Sequence, residues 1–430
     1  MVKPFGSGTI RRLALLALIV SLLALAPLAT QAEPLKLSAG VDNRYSDNMR
    51  QVSENKESDI ESRFYVRAEH QSDPGQCNSA LSADLGYGYW LDDTYDPEVY
   101  ATLDFQGDCE LADRLYWDLS NNLRDVTQDS RGTDTPDNTT RKNVFSTGPR
   151  YILRLSSQDS LQLLARYENT EFEEPEETDS DRVIGNIAWN HLFSATLSGG
   201  ISFNASRVEL DTGEEIDRDT LSVNFSKAWT ATRLSGSIGI SEIESTFRGV
   251  SQSSDGLVGN LNLEREVNPS TDVYLNASRE LTDQTSDFDI QFDDFSFNLR
   301  ETTTVEATAV RAGIRKTFSG GSSLGSEIFA NRSDYLGSGE TEESTGLSVN
   351  YSRPVTESVN ARAGARYTHR TFEEDSSNDD LLGVNLGLSY AASRELSLNG
   401  SIGHEARTSD VATRDYDENW IVLGLDYRFR

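Results

Sequence analysis

Apolar and polar side chains alternate with a period of two in segment after segment of this chain. Leu197, Gly199, Ile201, Phe203 and Ala205 alternate with Ser198, Gly200, Ser202, Asn204 and Ser206. Leu382, Val384, Leu386, Leu388 and Tyr390 alternate in the same way with Gly383, Asn385, Gly387 and Ser389. A period of two puts one face of a strand among apolar neighbours and the other among polar ones. The pattern runs to the last residue, where Ile421, Leu423, Leu425, Tyr427 and Phe429 share one face. A terminal strand with a wholly apolar face would pair indiscriminately if its edge were free. That hazard vanishes if the strand closes a ring.

The connections support a ring. Short ones such as 156–159, 193–196, 268–271, 319–322 and 355–358 alternate with long acidic ones such as "EEPEETDSD" at 173–181 and "EEDSSNDD" at 373–380. A β-helix would have short turns throughout, and an adhesin array would show a fixed repeat. The sequence therefore predicts an all-β protein: a transmembrane antiparallel up-and-down β-barrel of about 18–20 strands, running from 35–47 to 416–430. Backbone polar groups in hydrocarbon must all pair, and a closed antiparallel ring pairs them.

Residues 1–32 read as a signal peptide. Lys3, Arg11 and Arg12 precede the apolar stretch Leu13–Leu28, and Thr30-Gln31-Ala32 offers small residues at a cleavage site. Residues 33–430 form the barrel, so the expected location is the outer membrane of a Gram-negative bacterium. Removing the signal leaves 36 basic against 70 acidic residues, a net charge of −34. Such acidity argues against nucleic acid as a partner. No later apolar run reaches the roughly 20 residues of a spanning helix, and mean hydropathy is negative.

Little in the sequence points to catalysis. The four histidines, His70, His191, His369 and His404, fall at strand ends or beside lipid-facing positions, and none has metal-ligand spacing. The expectation is no catalytic, cofactor-binding or metal site, and no cofactor. The acidic loops offer oxygen ligands without a spaced calcium motif, and read as solvated. Cys77 and Cys109 fall in neighbouring short turns, 72–78 and 107–113, joined by one strand pair, and are placed for a disulfide on the periplasmic rim. Alternation turns Arg150, Arg154, Arg311, Arg315, Arg362, Arg366, Arg370 and Arg428 towards the lumen. There they either set pore selectivity or stiffen the wall by pairing with acids such as Glu168, Glu264, Glu405 and Asp426. Phe288, Phe292, Phe295 and Phe297 crowd the segment 286–301. Extension of the flanking strands above the membrane is the reading preferred over an inward constriction.

Two resemblances add to this. The ending resembles the insertion signal of outer-membrane proteins, with Gly424, Tyr427 and Phe429 in the signal positions, although Val422 stands where a polar residue is usual and Arg430 follows the Phe. It implies the barrel-insertion machinery as a partner, beside outer-membrane lipid. The stretch from Leu37 to Glu69 resembles the opening of the β-barrel porin family associated with exopolysaccharide and PEP-CTERM gene clusters. It shares a first strand ending in Tyr45, Asp47 and Asn48 and the entry Glu57–Ile60 to the second, while the usual Pro-Gly is displaced to Pro74-Gly75. That resemblance implies a channel or scaffold for export of polysaccharide, with polysaccharide and secretion-system proteins as partners, and it supplies no site residues. A general or solute-selective diffusion porin is the alternative, and a barrel enzyme acting on lipid or surface substrate the third reading.

Overall fold

A computed structural model describes residues 35–429, so the signal segment lies outside the described residues. The described residues form twenty antiparallel strands in one sheet. The first seven are β1 (Lys36–Ser46), β2 (Asp59–Gln71), β3 (Cys77–Trp90), β4 (Glu98–Ala112), β5 (Leu115–Thr127), β6 (Thr139–Arg154) and β7 (Asp159–Phe172). The next seven are β8 (Ser180–Ser194), β9 (Leu197–Leu210), β10 (Glu215–Ala228), β11 (Thr232–Phe247), β12 (Val250–Asn268), β13 (Thr271–Asp283) and β14 (Thr304–Thr317). The ring is completed by β15 (Ser323–Tyr335), β16 (Thr341–Pro354), β17 (Val359–Phe372), β18 (Ser377–Ala391), β19 (Leu396–Ser409) and β20 (Tyr416–Arg428).

Each strand pairs with its neighbours in sequence, and β20 pairs with β1 from Ser38↔Arg428 to Ser46↔Trp420. The edge that the terminal strand would have left open is therefore closed. The count falls at the upper end of the expected 18–20.

One side chain in two looks outward. Leu221 of β10 lies beside Ile240 of β11, which lies beside Leu257 of β12. All three are exposed on the outer wall, as lipid requires. Near the short turns the outward positions include aromatic rings, among them Tyr151, Trp189, Phe193, Tyr427 and Phe429, the girdle expected at a membrane interface. The next register position along each strand faces inward and is mostly polar or small, apart from apolar clusters near the long loops such as Val208, Leu210, Ile216 and Ile243. Short turns face the periplasm in barrels of this type, and long loops face outside.

The segment between β13 and β14 departs from the expected strand extension. It turns into the barrel, carries one helical turn at Phe288–Gln291, and buries Phe288, Phe295 and Phe297 against Val305, Ala307, Ala309 and Tyr335. Extended strands would have left these rings in water. Packed edge-to-face at ring-centroid separations of 4.8 and 5.0 Å, they make a small apolar core inside a polar lumen.

Candidate functional site

Twenty strands enclose more space than wall side chains can fill. The 284–303 loop occupies part of that space, and its anchors lie on opposite walls. On one side the Lys142 ammonium of β6 donates to the Gln284 and Ser286 carbonyls at 3.0 and 2.5 Å and to Asp289 Oδ1 at 2.8 Å. Lys142 is fully buried, and an ammonium survives there only with such partners. Beside it, the Thr170 and Ser180 hydroxyls donate to Thr285 at 2.9 and 2.8 Å. Arg182 of β8 pairs with Asp283 at 2.8 Å and with Glu168 at 3.0 Å.

On the far side Asp294 receives Arg366 of β17 at 2.5 Å and Arg311 of β14 at 3.2 Å. The Asn331 amide donates to the Asp294 carbonyl at 2.6 Å. In a ring of twenty, β6 and β16 are half the circumference apart. A loop tied to β6–β8 and also to β14–β17 therefore crosses the lumen.

A second loop, 128–138, meets it. The Leu299 amide donates to the Gln128 carbonyl at 2.8 Å, and Ser130 donates to Glu342 of β16 at 2.7 Å. Arg370 donates to the Ser130 carbonyl at 3.0 Å. Arg407 of β19 reaches the Arg131 and Gly132 carbonyls at 2.6 and 2.7 Å. The two loops together obstruct the extracellular half of the lumen. Burial raises the Asp289 carboxyl above the ordinary carboxylate range, while Lys142 pulls it down.

Below the loops the lumen has two characters. From β8 to β12 its wall carries no charge between the loop level and the periplasmic rim. Register places Asn190, Gly200, Asn224, Ser237, Asn260 and Ser278 in one row across six strands. The row beside it runs Ser198, Ser226, Ser235, Asn262 and Asn276. These groups bond to one another: Ser202 with Ser222 at 2.8 Å, Asn224 to Ser202 at 3.0 Å, Asn260 to Ser237 at 2.9 Å. The rest of the wall is charged, as in Arg63 with Asp84 at 3.0 Å and Arg124 with Asp104 at 3.0 Å.

The eight arginines divide accordingly. Arg150 pairs with Asp118 at 2.8 Å, Arg311 and Arg366 hold the loop, and Arg370 holds the second loop. Arg154, Arg315, Arg362 and Arg428 lie nearer the short turns and form no ion pair among the described residues. Arg315 and Arg362 share a depression of the wall with Asn350 and Asn385. Of the acidic candidates, Glu168 and Asp426 pair with Arg182 and Arg67, Glu264 lies 4.0 Å from Arg233, and Glu405 accepts a bond from the Tyr416 hydroxyl.

Cys77 and Cys109 sit opposite each other on paired strand ends rather than in turns, and are joined by a disulfide with a Cα–Cα distance of 4.0 Å. His191 is bonded to Asp159 and His369 to Asp380, both on the outer wall, and His404 is bonded to Asn419. Among the described residues no three of His, Cys, Asp and Glu are grouped to hold a metal ion. Gly424 faces Asp42 of β1 across the closing seam, and the Tyr427 and Phe429 rings pack edge-to-face at 5.1 Å on the outer wall.

Sequence reasoning missed Lys142, Arg182, Asp283, Asp289 and Asp294. Lys142 does stand out in the sequence, since its inward neighbours on β6 are Thr140, Val144 and Ser146. The uncharged wall was legible strand by strand, but became a surface only once the register was known.

Fold and lumen together define a porin-like β-barrel of the outer-membrane type. A family model described as "Putative beta-barrel porin 2" matches residues 331–429, the last part of the barrel from β15 to β20. No curated protein matches the chain in sequence. Similar solved structures include a ferric enterobactin receptor PfeA mutant from Pseudomonas aeruginosa, 9% identical with a TM-score of 0.49, covering 93% of this chain and 81% of that one. The siderophore receptor PirA from the same organism is 10% identical with a TM-score of 0.45 and the same coverages. A loop-deleted form of OmpT, an outer-membrane protein of Vibrio cholerae, is 10% identical with a TM-score of 0.37, covering 93% of this chain and 100% of that one.

Proposed function

We propose that the protein is a gated outer-membrane channel for export of an uncharged, hydroxyl-rich polymer, of the polysaccharide class. The observation that carries this reading is the Ser and Asn wall of β8–β12. Hydroxyl and amide groups both donate and accept, so they exchange bonds with sugar hydroxyls one for one, and they hold no counter-ions that a neutral chain would have to displace. The crossing loop supports a gate, because an unoccupied conduit this wide would leak periplasmic solutes. The test is deletion of the gene with measurement of exported polysaccharide. Secretion should fall, and unchanged secretion overturns the assignment.

A solute-selective diffusion porin is the second reading, favoured by the unpaired Arg154, Arg315, Arg362 and Arg428, whose field would select anions. Strong anion selectivity at full wild-type conductance would favour it. On either reading the protein is a channel rather than an enzyme. The proposal extends to the insertion machinery as a partner engaging Gly424, Tyr427 and Phe429.

A further inference from the structure

The wall is not zipped evenly. β11 and β12 pair along their whole length, from Thr232↔Arg265 to Phe247↔Val250. Between β12 and β13 the ladder runs only from Asn268↔Thr271 to Gly259↔Arg279. Beyond that point Val250–Val258 of β12 have no strand on their second side, although β13 continues to Asp283 paired with β14. The upper end of β13 has left the wall and bent beneath it.

Leu281 shows where it went. Counting along β13, Leu281 belongs to the outward set with Val273, Leu275, Ala277 and Arg279. In the structure it is instead buried against Val208, Leu210, Ile216 and Ile243, which face the lumen from β9, β10 and β11. Arg218 of β10 donates to the Leu281 carbonyl at 2.9 Å, and a Cβ built on Gly256 would lie 3.9 Å from Leu281 Cδ1. The alternation of the sequence thus encodes one position for this strand end, and the structure occupies another.

The unused position is fully specified. Continuing the existing register sets Val258 opposite Glu280, Leu257 opposite Leu281, Gly256 opposite Thr282 and Asp255 opposite Asp283. Leu257, 63% exposed on the outer wall, would gain an apolar cross-strand neighbour, the unit from which sheets draw stability. An unpaired strand edge would be covered. The crossing loop begins at the next residue, Gln284. It therefore follows directly on the strand end that has parted from β12.

We propose that the end of β13 is a two-position element that couples the gate to the wall. With β13 bent inward, residues 284–303 cross the lumen and the β12–β13 seam is open. With β13 zipped onto β12 through Leu257 and Leu281, the loop is drawn out of the lumen and the seam closes. The inward position is held by Lys142 and by Arg182 on Asp283; the outward position is held by the added ladder, against the repulsion of Asp255 and Asp283 set opposite each other. This inference rests on the reading of the loop as a gate, and the experiment separates the two.

The experiment is K142E in the full chain, which sets a carboxylate against Asp289. Two readings are taken: planar-bilayer conductance, and hydrogen exchange of the Val250–Val258 amides that point away from β11. The expected result is higher conductance together with exchange slowed by about tenfold or more in that segment, reporting a population shift to the zipped position. Higher conductance with unchanged exchange overturns the coupling and leaves the gate. Unchanged conductance overturns both. If K142E does not assemble, D294R repels the loop from Arg311 and Arg366 on the far wall, leaves every wall residue in place, and is read in the same way.

Discussion

The ring of Tyr65 lies over Gly40. These residues are Cα partners across β1 and β2, and Gly40 is also the partner of Asp426 on β20. A Cβ at Gly40 would run into the Tyr65 ring and the Leu425 carbonyl. The Tyr65 hydroxyl continues across to Asp426, 3.5 Å away. One side chain thus spans the first two strands and the last, at the seam where the barrel closes. G40V should block that closure, because overpacking at a backbone oxygen cannot relax by rotamer change and costs about 1–3 kcal/mol or more. The heat-modifiable fraction on gels should collapse. A wild-type fraction would mean that Tyr65 and β20 can move aside.

Asp294 neutralises two arginines at once, Arg311 and Arg366. D294A should leave both guanidinium groups facing the lumen and loosen the loop from the far wall. Reversal potentials in a salt gradient should shift towards anion selectivity, with conductance raised. A shift towards cations would contradict the arrangement.

Lower pH should favour the crossed lumen. Burial raises Asp289 in the inserted loop, opposed by Lys142 and reinforced by Asp287, whereas a released loop would show the ordinary value. As pH falls through the raised range towards the ordinary one, the inserted form takes up its proton first, and uptake stabilises it relative to the released form. Below the ordinary carboxylate range Asp289 is protonated in both forms and contributes nothing further to the trend. Open probability in bilayers should therefore drop between neutral pH and about pH 4. A rise over that interval would contradict the assignment of Asp289 to the inserted state.

Cys77 and Cys109 close a loop with a sequence separation of 32 and pin two strand ends at the periplasmic rim. C77A/C109A should lower the unfolding free energy by about 2–4 kcal/mol through the freedom restored to the unfolded chain. The denaturant midpoint checks this, and an unchanged midpoint would show that the rim is held by the ladder alone.

The wall was legible because lipid enforces it. Leu221, Ile240 and Leu257 had to look outward, so every polar neighbour between them had to look inward, and strand parity followed. The loop across the lumen was not legible for the opposite reason. Its anchors are side chains such as Lys142 and Asp294, far apart in sequence, whose meeting depends on a curvature that no local pattern records. The four phenylalanines did announce a buried environment. Periodicity alone could not say whether that environment lay above the barrel or within it. Leu281 is instructive: alternation assigns it to the outer face, and the structure places it on the inner one.

The central claim is that a closed barrel with a polar lumen is obstructed by residues 284–303. Its most direct test is the single-channel conductance of the wild-type protein beside a variant in which residues 287–300 are replaced by a short Gly-Ser linker. Small or rare openings are expected from the wild type, and a large, steady conductance from the variant. Equal, large conductances from both would contradict it.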